Sequence, residues 1–179
     1  MAARVVPGRA RFAAAVVDAG PGSRVLEVGS GPGAAAALVC ARLDPAAGGR
    51  MTAADRSAVA VARTTERCAD AVATGVLAVV RSDLAGLRLP DASVDVAFAV
   101  NLNLFWTRDP GPELAVLAAV LAPGGVLHVL YEGTPPAAVA AGLRRHGWDV
   151  EPVAGPGGAG VSARYSQATP SSSRSSADR

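Results

Sequence analysis

The chain has 179 residues, half of them hydrophobic, and a formal net charge of +2 at pH 7. This length supplies one hydrophobic core and is short for two, so we expect a single domain over residues 1–166. The sequence contains no lysine, which excludes Schiff-base chemistry and a Walker-type phosphate loop. Its arginines are scattered, so the charge pattern does not favour binding to nucleic acid.

No uninterrupted apolar run reaches the roughly 20 residues of a membrane-spanning helix. The apolar stretch at 12–17 is interrupted by Asp18, and we expect no association with a membrane. The two cysteines, Cys40 and Cys68, lack the paired spacing of a disulfide framework or a structural zinc site. We therefore expect a cytoplasmic protein without a bound metal.

Helix and strand patterns alternate along the chain. The predicted helices cover residues 9–20, 34–43, 57–72 with Ser57 as its cap, 111–125 with a Pro-Gly-Gly stop, and 135–147. The predicted strands cover 24–29, 50–55, 76–83, 94–101 and 126–132, followed by two weaker strands at 148–153 and 160–166 that the segment AGPGGAG interrupts. This alternation predicts a doubly wound α/β fold, with a mostly parallel sheet covered by helices on both faces.

Two segments stand out by composition. The fourth predicted strand, 94–101, is almost wholly apolar, which places it near the centre of the sheet. Residues 167–179 are rich in serine and have no apolar anchor. We expect them to form a disordered tail.

The segment GSGPG at 29–33 follows the first predicted strand. Ligands of doubly wound sheets bind beyond the carboxyl ends of the strands, and glycines there let a ligand approach the backbone. Gly29, Gly31 and Ala34 also satisfy the loose dinucleotide-binding pattern, and Asp55 lies about 20 residues further on. An NAD(P)-dependent oxidoreductase is therefore an alternative.

Three acidic residues favour a nucleoside ligand over a pyrophosphate. Glu27 lies two residues before Gly29, Asp55 ends the second predicted strand, and Asp83 ends the third. Carboxylates at these positions can accept hydrogen bonds from ribose hydroxyls and from an adenine amino group. Asp55 and Asp83 could instead cap the helices that follow them.

Four motifs occur in order between residues 24 and 132: VLEVGSGPG, AADRS, RSDLAGLRLPDASVDVAFAVNLNLFW and VLAPGGVLHVLYE. With them the sequence resembles class I S-adenosylmethionine-dependent methyltransferases, in particular the small ubiquinone/menaquinone-biosynthesis-like domains of methyltransferase type 11. The resemblance implies a Rossmann-like sheet of seven strands in the order 3-2-1-4-5-7-6, with the seventh antiparallel. It also implies S-adenosyl-L-methionine as the cofactor, bound by Glu27, Gly29, Ser30, Gly31, Asp55, Arg56, Asp83, Leu84 and Asn101.

The acceptor of the methyl group is expected at the same edge of the sheet. The segment 101–106 leaves the fourth predicted strand with two amides and two large aromatic side chains. The predicted acceptor contacts are Asn103, Phe105, Trp106 and Tyr131. Phe105 and Trp106 could equally cover the core as a hydrophobic plug.

The resemblance implies transfer of a methyl group to a nucleophilic O, N, C or S atom of a small-molecule acceptor. No catalytic residue stands out, because His128 lies in an apolar strand and His146 follows two arginines at a helix end. The chain offers only its N-terminal helix, 1–20, as a partial lid. A catalytically inactive binding module is therefore an alternative, and a homodimer could complete the site.

Overall fold

The computed structural model describes residues 5–166, and the tail predicted at 167–179 lies outside them. Seven strands form one sheet in the order β3-β2-β1-β4-β5-β7-β6. The strands are β1 (Arg24–Val28), β2 (Arg50–Asp55), β3 (Leu77–Arg81), β4 (Val94–Val100), β5 (Leu121–Tyr131), β6 (Trp148–Gly155) and β7 (Gly158–Tyr165). Neighbours among β1 to β5 are parallel, and β7 is antiparallel to both β5 and β6. The predicted fold class and strand order are confirmed.

Helices cover both faces of this sheet. They are α1 (Gly8–Val17), α2 (Ala34–Cys40), α3 (Ala58–Arg67), α4 (Ala69–Ala73), α5 (Leu104–Thr107), α6 (Gly111–Val120) and α7 (Ala137–Arg145), with a 3-10 turn at Pro45–Ala47. Ser57 caps α3 as predicted, because its hydroxyl oxygen accepts a hydrogen bond from the Ala60 amide at 3.4 Å. Within residues 5–166, no helix is long and apolar enough to cross a membrane.

The helix predicted over 57–72 is divided into α3 and α4. The division falls at Cys68, which has a non-helical φ of −107° and ψ of 28°. The Cys68 thiol is buried and lies 3.7 Å from the carbonyl oxygen of Gly33, so this residue packs inward at the junction. The hydrophobic pattern of the sequence continues through the junction and does not reveal it.

The helix predicted within 111–125 ends earlier than expected. It stops at Val120, and Leu121 is already extended, with φ −70° and ψ 133°, as the first residue of β5. Pro123 explains an early end, because a proline lacks the amide proton of a helical residue and disfavours helical backbone in the residue before it.

The two C-terminal strands are longer than predicted. The segment AGPGGAG at 154–160 does not interrupt them, because it forms the hairpin that joins β6 to β7, with Gly155 paired to Gly158. Pro156 and Gly157 occupy the turn, and Gly157 has a φ of +100°. Proline followed by glycine with positive φ is the residue preference of a type II turn.

The core lies in two layers, one on each face of the sheet. The central strand β4 contributes to both, since Phe98 packs in the layer that α1 and α2 cover, while Ala97 and Ala99 pack in the layer that α5, α6 and α7 cover. All three are fully buried. The apolar character of this strand thus reflects burial on both faces, as predicted.

Candidate functional site

A cavity of about 350 Å³ lies at the edge of the sheet where β1, β2, β3 and β4 end. Six of the predicted cofactor residues line it: Gly29, Asp55, Arg56, Asp83, Leu84 and Asn101. Asn103, from the predicted acceptor contacts, lines it as well. Parallel strands present their carboxyl ends at one edge of a sheet, which is why residues so distant in sequence meet there.

The glycine turn at 29–33 connects β1 to α2. Gly29, Gly31 and Gly33 have positive φ angles of 74°, 53° and 73°, a region that other residues enter only with strain. A β-carbon at Gly31 would meet nothing within 4 Å, whereas one at Gly33 would lie 2.9 Å from Cα of Thr64. Gly31 therefore faces open space, and Gly33 packs against α3.

Asp55 joins the end of β2 to the glycine turn. Its Oδ2 accepts a hydrogen bond from the Gly31 amide at 3.0 Å, and its Oδ1 accepts one from the Ser57 amide at 2.9 Å. The Ser57 contact resembles the helix-capping alternative that the sequence left open. A carboxylate can accept several hydrogen bonds, so the residue also remains available to a ligand in the cavity.

Asp83 and Leu84 form the wall at the end of β3. Asp83 is exposed, and its Oδ1 accepts a hydrogen bond from the Gly86 amide at 2.7 Å, which holds the carboxylate in a local turn. Leu84 is 3% exposed and belongs to the core beneath the cavity. The pair thus presents an acidic acceptor beside an apolar surface.

Asn101 occupies the end of β4 in a left-handed backbone conformation, with φ 55°. Its backbone amide donates a hydrogen bond to the Leu130 carbonyl oxygen, and its side-chain Oδ1 accepts one from the backbone amide of Glu132, both at 2.8 Å. The residue therefore ties the ends of β4 and β5 together. Such backbone angles cost on the order of 1 kcal/mol for most residues other than glycine, and asparagine adopts them more readily than most.

Comparison with known proteins decides the family. A family described as a methyltransferase domain matches residues 25–125, which include the glycine turn, both acidic strand ends and all of β4. The chain belongs to this family. The predicted class I S-adenosylmethionine-dependent methyltransferase is confirmed, with S-adenosylmethionine as its cofactor. No curated protein matches the sequence significantly.

Solved structures share the fold of this methyltransferase domain. A SAM-dependent methyltransferase from Aquifex aeolicus is similar with a TM-score of 0.72 and 22% identity, over 91% of this chain and 93% of that chain. The cyclase SpnF is similar with a TM-score of 0.66 and 22% identity, over 79% of this chain and 57% of that one. Geranyl diphosphate C-methyltransferase from Streptomyces coelicolor, in complex with S-adenosyl-L-homocysteine, has a TM-score of 0.65 and 12% identity, over 80% and 60%.

Three predicted cofactor residues of the methyltransferase do not line the cavity: Gly31, which faces open space at the turn, and Glu27 and Ser30, which lie beneath the turn. Glu27 is 2% exposed on the face of β1 that α2 covers, and Ser30 is 4% exposed. The Ser30 hydroxyl lies 3.2 Å from Oγ1 of Thr64, whose hydroxyl donates to the Gly31 carbonyl oxygen at 3.0 Å. Ser30 and Thr64 therefore brace the turn from behind. Sequence reasoning did not single out Thr64, which is fully buried.

Two features of the glycine turn suit the binding of S-adenosylmethionine. Oε2 of Glu27 is buried and has no hydrogen-bond partner within residues 5–166, so a carboxyl group without a positively charged partner lies beneath the turn. The open space at Gly31 admits a ligand beside the backbone of the turn. A nucleoside that carries positive charge matches both features, since it would occupy the open space and interact favourably with the carboxyl group.

The predicted acceptor residues of the methyltransferase separate into different environments. Asn103 lines the cavity. Phe105 is 1% exposed and packs in the core, which favours the hydrophobic-plug alternative for this residue. Trp106 is 42% exposed and is not among the cavity residues, and Tyr131 is buried with its hydroxyl donating to the Leu102 carbonyl oxygen at 3.0 Å.

Substitution by leucine distinguishes a core role from a surface role at the two aromatic residues. Phe105→Leu is expected to lower the free energy of unfolding by about 1 kcal/mol, because it leaves buried volume unfilled. Trp106→Leu is expected to change it by less than about 0.5 kcal/mol, because the side chain is partly exposed. Urea denaturation measures both. Equal losses in the two variants would contradict the assignment of Phe105 to the core and Trp106 to the surface.

An arginine and glutamate pair lines the cavity and was not predicted. The two terminal guanidinium nitrogens of Arg108, Nη1 and Nη2, donate to the carboxylate of Glu113. Glu113 lies at the start of α6 and is 2% exposed. Ser82 and Thr107 were also missed among the lining residues. The acid in the first turn of a predicted helix was a usable signal for Glu113, but no pattern indicated its partner.

The candidate proton acceptors near this edge are poorly suited to act as bases. Burial lowers the pKa of His128 to about 4, and its Nδ1 lies 2.9 Å from the Ser162 hydroxyl. Burial raises the pKa of Tyr131 to about 12. Glu132 is exposed and pairs with Arg9 at 2.8 Å. His146 lies at the end of α7, where its Nε2 is 2.7 Å from Oδ1 of Asp109. No catalytic base emerges from these groups.

Proposed function

We propose that this methyltransferase domain transfers a methyl group from S-adenosylmethionine to a nucleophilic O, N, C or S atom of a small-molecule acceptor. The observation that carries the proposal is the single cavity that Gly29, Asp55 and Asp83 share at the ends of three parallel strands. In this role Asp55 binds the ribose hydroxyls, and Asp83 accepts from the adenine amino group. Leu84 and Arg56 flank the adenine ring.

The cofactor supplies a methyl group that is already activated on a sulfonium. The contribution of the chain is therefore to hold donor and acceptor in line and to exclude water, an effect that can reach ~7–11 kcal/mol in the best cases. None of the candidate proton acceptors at this edge is well suited to act as a base. This agrees with a reaction that depends more on the positioning of donor and acceptor than on proton transfer. Asn101, fixed between β4 and β5, is placed to define the reacting end of the cofactor.

The size and lining of the cavity support a small acceptor. Its volume of about 350 Å³ lies near the lower end of the range for small-molecule sites, and the cofactor must share it. Leu102, Asn103 and Leu104 combine apolar and amide surface, and the Arg108–Glu113 pair adds charge at the same wall. This lining favours a partly apolar molecule with a polar or charged substituent over a nucleic acid.

Calorimetric titration tests cofactor binding. S-adenosylmethionine and S-adenosylhomocysteine are expected to bind, and NADH is expected not to bind. Asp83→Ala should weaken binding of both adenosyl compounds on the order of 10- to 100-fold, because it removes a hydrogen bond to a charged group, worth ~1.5–3 kcal/mol. Asp91→Ala, which removes an exposed acid from the loop after β3, is the matched control and should leave affinity unchanged. NADH binding that survives Asp83→Ala would favour the oxidoreductase instead.

Turnover then separates the enzyme from a binding module. With a cofactor labelled in its methyl group, transfer to members of a small-molecule panel supports the proposal, and transfer only to polynucleotides would contradict it. Cofactor binding without transfer to any acceptor would favour the inactive module. Light scattering on the same sample tests the homodimer.

A further inference from the structure

Glu27 is a buried acid without a compensating charge. It is the next-to-last residue of β1, between Ala53 of β2 and Phe98 of β4, and only 2% of it is exposed. Its Oε2 has no hydrogen-bond partner within the described residues. None of the described ion pairs involves it. An ionised carboxylate is rarely buried in this way, because desolvation penalises the charge.

The titratable groups around Glu27 add negative charge or none. Asp55 approaches from the end of β2, Cys40 from the end of α2, and Cys68 from the junction of α3 and α4. Burial and then Asp55 raise the pKa of Glu27 well above its ordinary value, while a hydrogen bond from the Ala36 amide lowers it. Burial also raises the pKa of both thiols, that of Cys40 to about 12, so neither thiol carries charge near neutral pH.

A positively charged ligand would change this balance. Glu27 is two residues before Gly29, which lines the cavity, so the Cα atoms of the two residues lie within about 7 Å of each other. S-adenosylmethionine carries a sulfonium and an ammonium, whereas S-adenosylhomocysteine keeps only the ammonium, and each ligand also carries one carboxylate. A net positive charge bound near the turn favours the ionised form of the Glu27 carboxyl group, and the sulfonium compound favours it more.

We infer that Glu27 is a neutral carboxylic acid in the free protein and releases its proton to solvent when the positively charged cofactor binds above it. The inference rests on the proposed function. It makes Glu27 a positioning residue that senses ligand charge and so distinguishes the methyl donor from the demethylated product. With the demethylated product bound, Glu27 would take up a proton from solvent again, and its attraction for the ligand would fall.

The free protein tests the first half of the inference without any ligand. The chain contains five glutamates, and carbon-13 labelling of their carboxyl groups resolves their titration by NMR. One signal, absent from Glu27→Gln, is expected to remain that of a neutral acid well above pH ~4.3, the ordinary pKa of a glutamate side chain. Ionisation of that signal near the ordinary pKa would overturn the inference.

Calorimetry in buffers of different ionisation enthalpy tests the second half. Near neutral pH the wild type is expected to release close to one proton with S-adenosylmethionine and fewer with S-adenosylhomocysteine. Glu27→Gln should release none and should bring the affinities of the two ligands about tenfold closer, one pKa unit of coupling being a factor of ten. Glu151→Gln, an exposed acid on β6, is the control and should behave as wild type.

The outcomes separate the inference from the proposed function. Binding without proton release, or the same release from Glu27→Gln, would overturn the inference and leave the methyltransferase function standing. Failure of the wild type to bind either adenosyl compound would overturn both.

Discussion

Gly33→Ala is expected to destabilise the protein by about 3 kcal/mol, whereas Gly31→Ala is expected to leave it folded and to lower cofactor affinity on the order of 100-fold. Both glycines have positive φ, so an alanine costs ~1–2 kcal/mol of backbone strain at either position. At Gly33 the new methyl group would also lie 2.9 Å from the backbone of Thr64, within the packed contact between the turn and α3. Overpacking of this kind adds a further ~1–3 kcal/mol.

At Gly31 the methyl group would enter open space, so strain is the only cost to stability. That space is where the cofactor is proposed to meet the turn, and a loss of 100-fold in affinity corresponds to ~2.7 kcal/mol. Urea denaturation and calorimetric titration on both variants measure the two effects. Unchanged affinity in Gly31→Ala would show that the ligand does not approach this position. Equal stability of the two variants would contradict the close packing of Gly33 on Thr64.

Glu27→Gln is expected to stabilise the free protein increasingly as the pH rises. Because burial raises the pKa of Glu27 in the folded protein, the stability that this residue contributes is complete below its unfolded value of about 4.3. That stability is lost as the pH rises toward the pKa of Glu27 in the folded protein. Glu27 ionises at lower pH in the unfolded chain, and this ionisation lowers the free energy of the unfolded state relative to the folded state. Glutamine does not titrate, so the variant does not lose unfolding free energy from this residue as the pH rises.

The difference in unfolding free energy between Glu27→Gln and wild type should therefore grow by up to ~1.4 kcal/mol for each pH unit above about 4.3. It should level off once Glu27 ionises in the folded protein. Urea denaturation at a series of pH values measures it, and Glu151→Gln provides the baseline for loss of an exposed acid. A difference independent of pH would mean that Glu27 has an ordinary pKa. A stabilised variant with weakened cofactor binding would identify a residue retained for function at the expense of stability.

The features that depend on local pattern could be predicted from the sequence. Alternating periodicity predicted the strands, and the placement of Ser57 before an apolar run predicted the cap of α3. The order of the strands came from the resemblance to class I methyltransferases. Of the three turn glycines Gly29 lines the cavity, as do Asp55 and Asp83, the acids that follow β2 and β3. These signals are local because turn residues, caps and strand ends are set by neighbouring residues.

The remaining features depend on contacts between distant residues. Phe105 and Trp106 are adjacent, and only the four-residue helix α5 determines that the first points into the core and the second toward solvent. The division at Cys68 depends on packing against the glycine turn. Glu27 lacks a positively charged neighbour because of how several distant segments pack around it, and no local sequence pattern indicates that absence.

The cavity wall divides along the chain as well as in space. Every lining residue contributed by the first three strands precedes residue 85, and every other lining residue falls within the continuous segment 101–113. Apart from Asn101, which the proposed function assigns to the cofactor, variation in that one stretch of chain would reshape the proposed acceptor side while the proposed nucleoside contacts stay intact. Transplanting a single short segment would therefore exchange substrate preference on an unchanged cofactor site.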